Sequence, residues 1–385
     1  DYSAGRSDAG CACGKCVQEV CTALLPGMFR VNGKQGKSGR EFLLFLLLLV
    51  GLLISMVATV SIGSTGISFS ETAGIIVDKI FGGSEKLAQG VYSVPHFQII
   101  WNIRLPRVIF AVVCGAGLAV CGSAMQAIVL NPIADPYILG ISSGASAGAA
   151  WALLMPFPLF AGQYQTTVSA FLGALLSAGV VYLMAKSAGG GKLQPVTLLL
   201  SGTAVNAVMS AVTSFLIFLA KSPESIASVY NWQMGSIASA QWKSLALPTV
   251  CVIAGSIICT IAGRQFNMMM MGDDDAMAMG MRVRLFRNSV FILCSVMVAS
   301  LVSVTGIIGF VGLVVPHTVR FLAGTSDNRI VLPFSALFGG IYLAWADALA
   351  RGGFGVAELP LGIITAFVGA PFFLFLMIRS GYGGH

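Results

Sequence analysis

The chain has 385 residues, of which 56% are hydrophobic and only 10% charged, with a formal net charge of +7. Soluble globular domains carry roughly 25% charged residues, so this composition excludes a set of soluble domains and implies a surface wetted mostly by lipid. The positive balance does not imply a nucleic-acid partner: the basic residues sit mostly at the ends of apolar runs, and no basic helix or aromatic-interleaved basic stretch is present.

A hydrocarbon core about 30 Å thick needs about 20 apolar residues per helix. Residues 1–41 form a polar, cysteine-containing N-terminal extension. No secretory leader is expected, because the first apolar run, Phe42 to about Ile62, is too long for a signal h-region. Residues 63–103 are mixed and polar, with room for a short surface helix. A second span runs from Arg107 to about Val129. Two prolines in Asn131-Pro-Ile-Ala-Asp-Pro136 then end the helix. The third span, Tyr137–Met155, carries Gly140, Gly144 and Gly148 on one face, which permits close helix contact. The fourth is Thr166–Ala185 and the fifth Val196–Ala220. The break at 221–243 holds Trp232 and Trp242 at an interfacial level. The sixth span is Leu245–Ala262, followed by the most charged internal segment, Arg264–Arg287. A seventh begins near Ser289 and fades into Gly306–Gly312. The eighth ends near Arg320, the ninth is Val331–Leu349 and the tenth Leu361–Ile378. Ten spans put both termini on one side, and the Lys/Arg bias makes that side cytoplasmic. High glycine content, 46 residues, suits helices packed closely in lipid.

Several motifs have a bland reading beside a chemical one. Gly33-Lys-Gln-Gly36-Lys37-Ser38 lacks the P-loop's first glycine, since Val31 stands there, and has no preceding strand. An ATPase, if one drives transport, is therefore a separate polypeptide. Cys11, Cys13, Cys16 and Cys21 are dense enough for zinc or an iron–sulfur cluster, but their spacing fits neither pattern, and free thiols are the default in a reducing cytoplasm. Cys114, Cys121, Cys251, Cys259 and Cys294 read as small core residues. Met268–Met271 reads as apolar helix surface rather than a soft-metal site. Asp273, Asp274 and Asp275 point about 100° apart on a helix, so they do not converge on one ion, and they suit a helix N-terminus. His96, His317 and His385 form no constellation with a nucleophile or carboxylate, so no catalytic site is expected. Arg104, Arg107 and Arg351 are either snorkelling anchors of helix ends or an exposed cationic rim that pairs with a partner's carboxylates.

The segments Arg104-Leu-Pro-Arg107, Gly115–Gly122, Gln126, Asn131–Pro136 and Leu139–Ala145 resemble the front half of the FecCD permease family. Trp232–Ser236, Gly306–His317, Arg320, Asp347, Arg351, Glu358–Gly362 and Gly369–Pro371 resemble the remainder. The resemblance covers about residues 42–380. It implies a type II ABC importer permease fold of about ten transmembrane helices, all-α, with a cytoplasmic coupling loop at 264–288. It implies a bacterial inner-membrane importer that moves a metal chelate (iron–siderophore, haem or cobalamin) with no cofactor of its own. ATP and Mg would be held by two separate ATPase subunits. The other partners would be a second permease copy, most simply a homodimer, and an extracytoplasmic binding protein. By the same resemblance, Arg104, Arg107 and Arg351 match the arginines that face the binding protein. Asp273, Asp274, Asp275, Gly280 and Arg282 match the coupling segment, although the family usually has more Glu and Leu there. Gln126, Ser201, Gly202 and Asn206 match the translocation path, and Asn131, Pro132, Asp135 and Pro136 the motif loop. Two other classes stay on the page: an ion-coupled secondary transporter, disfavoured by scarce carboxylates in the spans, and a membrane redox protein using the N-terminal cysteines.

Overall fold

The computed structural model describes residues 36–63, 66–80, 92–155, 164–352 and 358–381. Cys11, Cys13, Cys16 and Cys21 lie outside the described residues. The chain divides into two compact units, Asp1–Leu44 and Phe45–His385. Of the first, only the start of a helix is described. Every contact discussed below belongs to the second.

Among the described residues the fold is helical throughout. The helices are α1 Gly36–Ser61, α2 Phe69–Ile80, α3 Val94–Val129, α4 Ile141–Leu154, α5 Gln165–Ala188, α6 Pro195–Phe218 and α7 Pro223–Gln233. They continue as α8 Trp242–Ile261, α9 Gly263–Met269, α10 Asp273–Ala278, α11 Val283–Thr305, α12 Val311–Ala323, α13 Asn328–Gly352 and α14 Leu361–Gly381. Seven are long and apolar enough to cross a membrane, and three shorter apolar helices, Ile141–Leu154, Val311–Ala323 and Leu361–Phe375, bring the set to the ten expected.

The second span departs from expectation. It begins at Val94, not after Arg107, because Pro95 occupies the first helical turn, where a missing N–H costs nothing. A π-helical stretch, Ile99–Arg104, then immediately precedes Leu105-Pro106. A widened turn placed there accommodates a residue that has no N–H to donate.

Helix α3 is the centre of the body. Of its most apolar window, 78% is buried inside the protein, against 28% for α6 and for α8. It packs on α8, α11, α12 and α13. Glycines make these approaches possible. A Cβ on Gly115 would overlap the Gly339 carbonyl of α13, and one on Gly122 would overlap the Gly312 carbonyl of α12. Backbone thus meets backbone, as expected where helices associate without a hydrophobic driving force. Gly144 and Gly148 do the same against Gly173 and Ser169 of α5. Gly140 does not join them; it sits outside the helix at φ 73, ending a short 3₁₀ turn.

Candidate functional site

The three predicted arginines gather at one level of the bundle, Arg104 and Arg107 on α3 and Arg351 on α13. All are buried and engaged within the chain. Arg104, 5% exposed, donates from Nη1 to the carbonyls of Val60 (3.2 Å) and Ser61 (3.0 Å). Arg351 donates to the carbonyls of Ile62 (3.1 Å) and Thr59 (3.0 Å). The last carbonyls of a helix have no intrahelical partner and carry its negative dipole end. Two arginines from α3 and α13 therefore close the end of α1. Arg107, 6% exposed, donates from Nε to Asp347 (3.0 Å) and from Nη1 to both oxygens of Glu358 (3.0 and 2.9 Å). Asp347 is wholly buried, and its second oxygen lies 3.0 Å from Arg351 Nε at an angle too poor for a hydrogen bond. The bidentate carboxylate geometry anticipated for a partner is here met by the chain's own Glu358. The guanidinium groups form no exposed rim in this structure. Only Glu358, with a side chain 52% exposed, looks outward from the cluster.

The other end of α3 meets the motif loop and the coupling segment. Leu130 ends the helix in the left-handed region (φ 54), and Asn131 turns back to donate its N–H to Gln126 O. Asn131 Oδ1 accepts from Ile133 N–H (3.0 Å), and Asp135 Oδ1 accepts from Tyr137 N–H (2.9 Å). Pro136 then starts the 3₁₀ turn. This loop is a braced corner. Burial pushes the Asp135 carboxyl up to about 6, against the stabilising Tyr137 N–H.

Asp273, Asp274 and Asp275 open α10, as the dipole argument expects, but they do not act as a set. Asp273 turns inward to Arg287, whose Nη1 and Nη2 reach its two oxygens at 2.8 and 2.5 Å. That buried guanidinium also donates to Ile128 O at the end of α3 (3.0 Å) and to Leu193 O before α6 (2.9 Å). One side chain thus ties α10 to two other elements, and it holds the Asp273 carboxyl below the usual carboxylate range. Arg287 was not singled out from the sequence. Asp274, Asp275, Gly280 and Arg282 are exposed. Gly280 is needed for its backbone (φ 83), since nothing crowds its missing side chain. A groove of about 400 Å³ beside it is lined by Met268, Met279, Met281, Arg282 and Phe286.

The expected path residues separate. Ser201 is 7% exposed and Gly202 is buried, so both face into the bundle. Gln126 of α3 is 4% exposed and packs against α12, with Nε2 donating to Gly312 O and Oε1 accepting from Arg320 Nη1 (2.7 Å). Asn206 alone is exposed, and it shares its side of α6 with Thr203, Ser210 and Ser214, all exposed. The last three fall at i, i+7 and i+11, one stripe on a 3.6-residue helix. That spacing was readable in the sequence; which way the helix was turned was not.

Among the described residues, a bundle of ten apolar helices, with ion pairs towards its two ends and a polar stripe on one exposed helix, defines a polytopic membrane permease. Residues 47–379 match the FecCD transport family, and the chain belongs to it. It is 41% identical over 279 residues to the cobalamin import system permease protein BtuC of Halobacterium salinarum, covering 72% of this chain and 73% of that one. It is 39% identical over 285 residues to the hemin transport system permease protein HmuU of Yersinia pestis, covering 73% and 84%. Among solved structures, a metal-chelate type ABC transporter in an inward-facing conformation aligns with a TM-score of 0.73 at 29% identity, over 87% of this chain and 98% of that one.

Proposed function

We propose that this chain is one permease half of a binding-protein-dependent importer that carries a metal chelate, an iron–siderophore before haem or cobalamin, into the bacterial cytoplasm. A second copy of the chain completes the path. Two cytoplasmic ATPase subunits hold ATP and Mg, and the chain itself binds no cofactor and does no chemistry. Both termini lie in the cytoplasm.

The observation that carries this reading is the stripe Thr203, Asn206, Ser210 and Ser214 on a helix whose other exposed residues are apolar and whose apolar window is only 28% buried. Hydroxyl and amide groups facing lipid tails gain nothing. Facing a second copy across a wet path, they offer weak, replaceable contacts that let a bulky chelate pass and leave. Arg104, Arg107 and Arg351 lie at the end assigned to the binding protein, with Glu358 as their outward neighbour. Asp274, Asp275, Gly280 and Arg282 lie at the end assigned to the ATPase. Closure of the ATPases would bias two arrangements of the bundle through α10.

The test is uptake into proteoliposomes holding the chain with its ATPase and binding protein, comparing ferric siderophore, haem and cobalamin. ATP-dependent, binding-protein-dependent uptake is expected. Uptake driven by an ion gradient without the ATPase would replace this reading by a secondary transporter.

A further inference from the structure

We propose that the cavity between the end of α3 and α12 is an oxyanion site, in which Arg320 supplies the cation and Gln126 orients it, and that it takes a carboxylate or phosphate group. The cavity encloses about 480 Å³ and is lined by Gln126, Asn131, Met270, His317, Arg320 and Ser326.

Arginine remains charged at any ordinary pH. The buried guanidiniums along α3 have their charge or their donors answered: Arg107 and Arg287 by carboxylates, Arg104 by carbonyls. Arg320 differs. It forms no ion pair among the described residues, and its one hydrogen bond there is to the neutral Gln126. Its Nε is fully enclosed and has no partner. An arginine in the last turn of a helix can be explained by the helix's own carbonyls, but those of α12 do not receive this one. A half-buried cation with an enclosed, unpartnered Nε gains from a counter-charge that completes it.

The surroundings favour an anion. Gln126 is fixed from the other side by Gly312 O, so its Oε1 holds Arg320 at 2.7 Å. Asn131 uses its Oδ1 on Ile133, which leaves its NH₂ as a second donor on the wall. The Ser326 hydroxyl and the His317 ring add neutral polar groups. Among the described residues no carboxylate lines the cavity. A planar fork with free N–H groups beside neutral donors matches the two oxygens of a carboxylate or phosphate. Two sources share that chemistry, a dissolved anion and a phospholipid headgroup, since the cavity opens at one end of the spans. The inference does not depend on which chelate is transported.

The full-length chain in phosphatidylcholine nanodiscs would be treated with phenylglyoxal, and labelling of Arg320 followed by mass spectrometry. Phosphate or citrate should slow that labelling several-fold and saturably relative to chloride at equal ionic strength. Labelling of the exposed Arg282 should not change. Protection on replacing phosphatidylcholine by phosphatidylglycerol, without added anion, would identify the headgroup as the source. In a second measurement, phosphate should raise the melting temperature of the native chain but not of Arg320→Gln. Arg320→Lys should bind about tenfold more weakly, having lost the fork. Labelling of Arg320 that is unchanged by phosphate, citrate and phosphatidylglycerol overturns the proposal. So does an Arg320 that the reagent never reaches, because a site open to solutes must admit it. If Arg320→Gln fails to fold, the labelling of the native chain decides alone.

Discussion

The Arg107 level of α3 and its Val129 end, about 30 Å apart at a rise of 1.5 Å per residue, use arginine in opposite ways. At the Arg107 end, cations from α3 and α13 are spent on fixed parts of the same body: the last carbonyls of α1, the buried Asp347 and Glu358. At the Arg287 end, a single guanidinium holds a short helix of six residues whose other acids face out. A second guanidinium there, Arg320, meets no acid among the described residues. The first arrangement locks a bundle. The second leaves an appendage held by one clasp, which is what a part that must transmit movement requires.

Breaking each lock should show that difference in size. Arg107→Ala strands Asp347 with a poorly aligned partner and leaves Glu358 unpaired. Removing one member of a buried pair costs about 3–5 kcal/mol, so a large fall in melting temperature in detergent is expected. A change within error would mean the cluster is not load-carrying in the folded body. Gly122→Ala tests the body between the ends. With a carbonyl in the way, overpacking should cost about 1–3 kcal/mol, read by the same melting assay, and Gly179→Ala, where nothing lies within 4 Å, serves as its neutral control.

Asp273→Asn leaves the buried Arg287 on two carbonyls alone, so melting should fall, though less than for Arg107→Ala because Asp273 is itself part-exposed, and hydrogen exchange of residues 272–281 should speed. If exchange there is unchanged, Arg287 is not the clasp. The pair also has a pH signature. Arg287 lowers the Asp273 carboxyl, so its contribution is complete above the ordinary carboxylate range near 4 and is lost as pH falls below it. The smallest effect is at the motif loop and runs the other way. The Asp135 carboxyl is raised to about 6, so the loop is best held below the ordinary range and loosens as pH rises through 6. Protection of residues 131–140 against exchange, taken relative to the intrinsic rate at each pH, should be weaker at pH 7 than at pH 5, and Asp135→Asn should abolish that difference.

The spans were legible because twenty apolar residues in a row have few other uses. The braced loop was legible from its two prolines. The early start of α3 was not, because residues 63–103 read as mixed and polar; in the structure a helix N-terminus absorbs Pro95 and a π turn precedes Pro106. The clasp was hidden for a different reason. Arg287 and Asp273 are fourteen residues apart, but Ile128 and Leu193 are 159 and 94 away, and no local pattern joins them. Likewise the sequence placed Arg104, Arg107 and Arg351 at helix ends without saying which way they point. Ser201 and Asn206 sit on one helix, and only the rotation of α6 decides that Asn206 and not Ser201 is exposed.

The interlocked glycines of α3, α12 and α13 have a kinematic consequence. Where Gly115 rests on the Gly339 backbone and Gly122 on that of Gly312, neither neighbour can spin about its own axis without driving a side chain into a peptide group. The three helices behave as a keyed shaft that turns as one piece. Freedom to hinge is left to helices seated less deeply, and α6, which presents most of its circumference outward, is the one that bears the polar stripe.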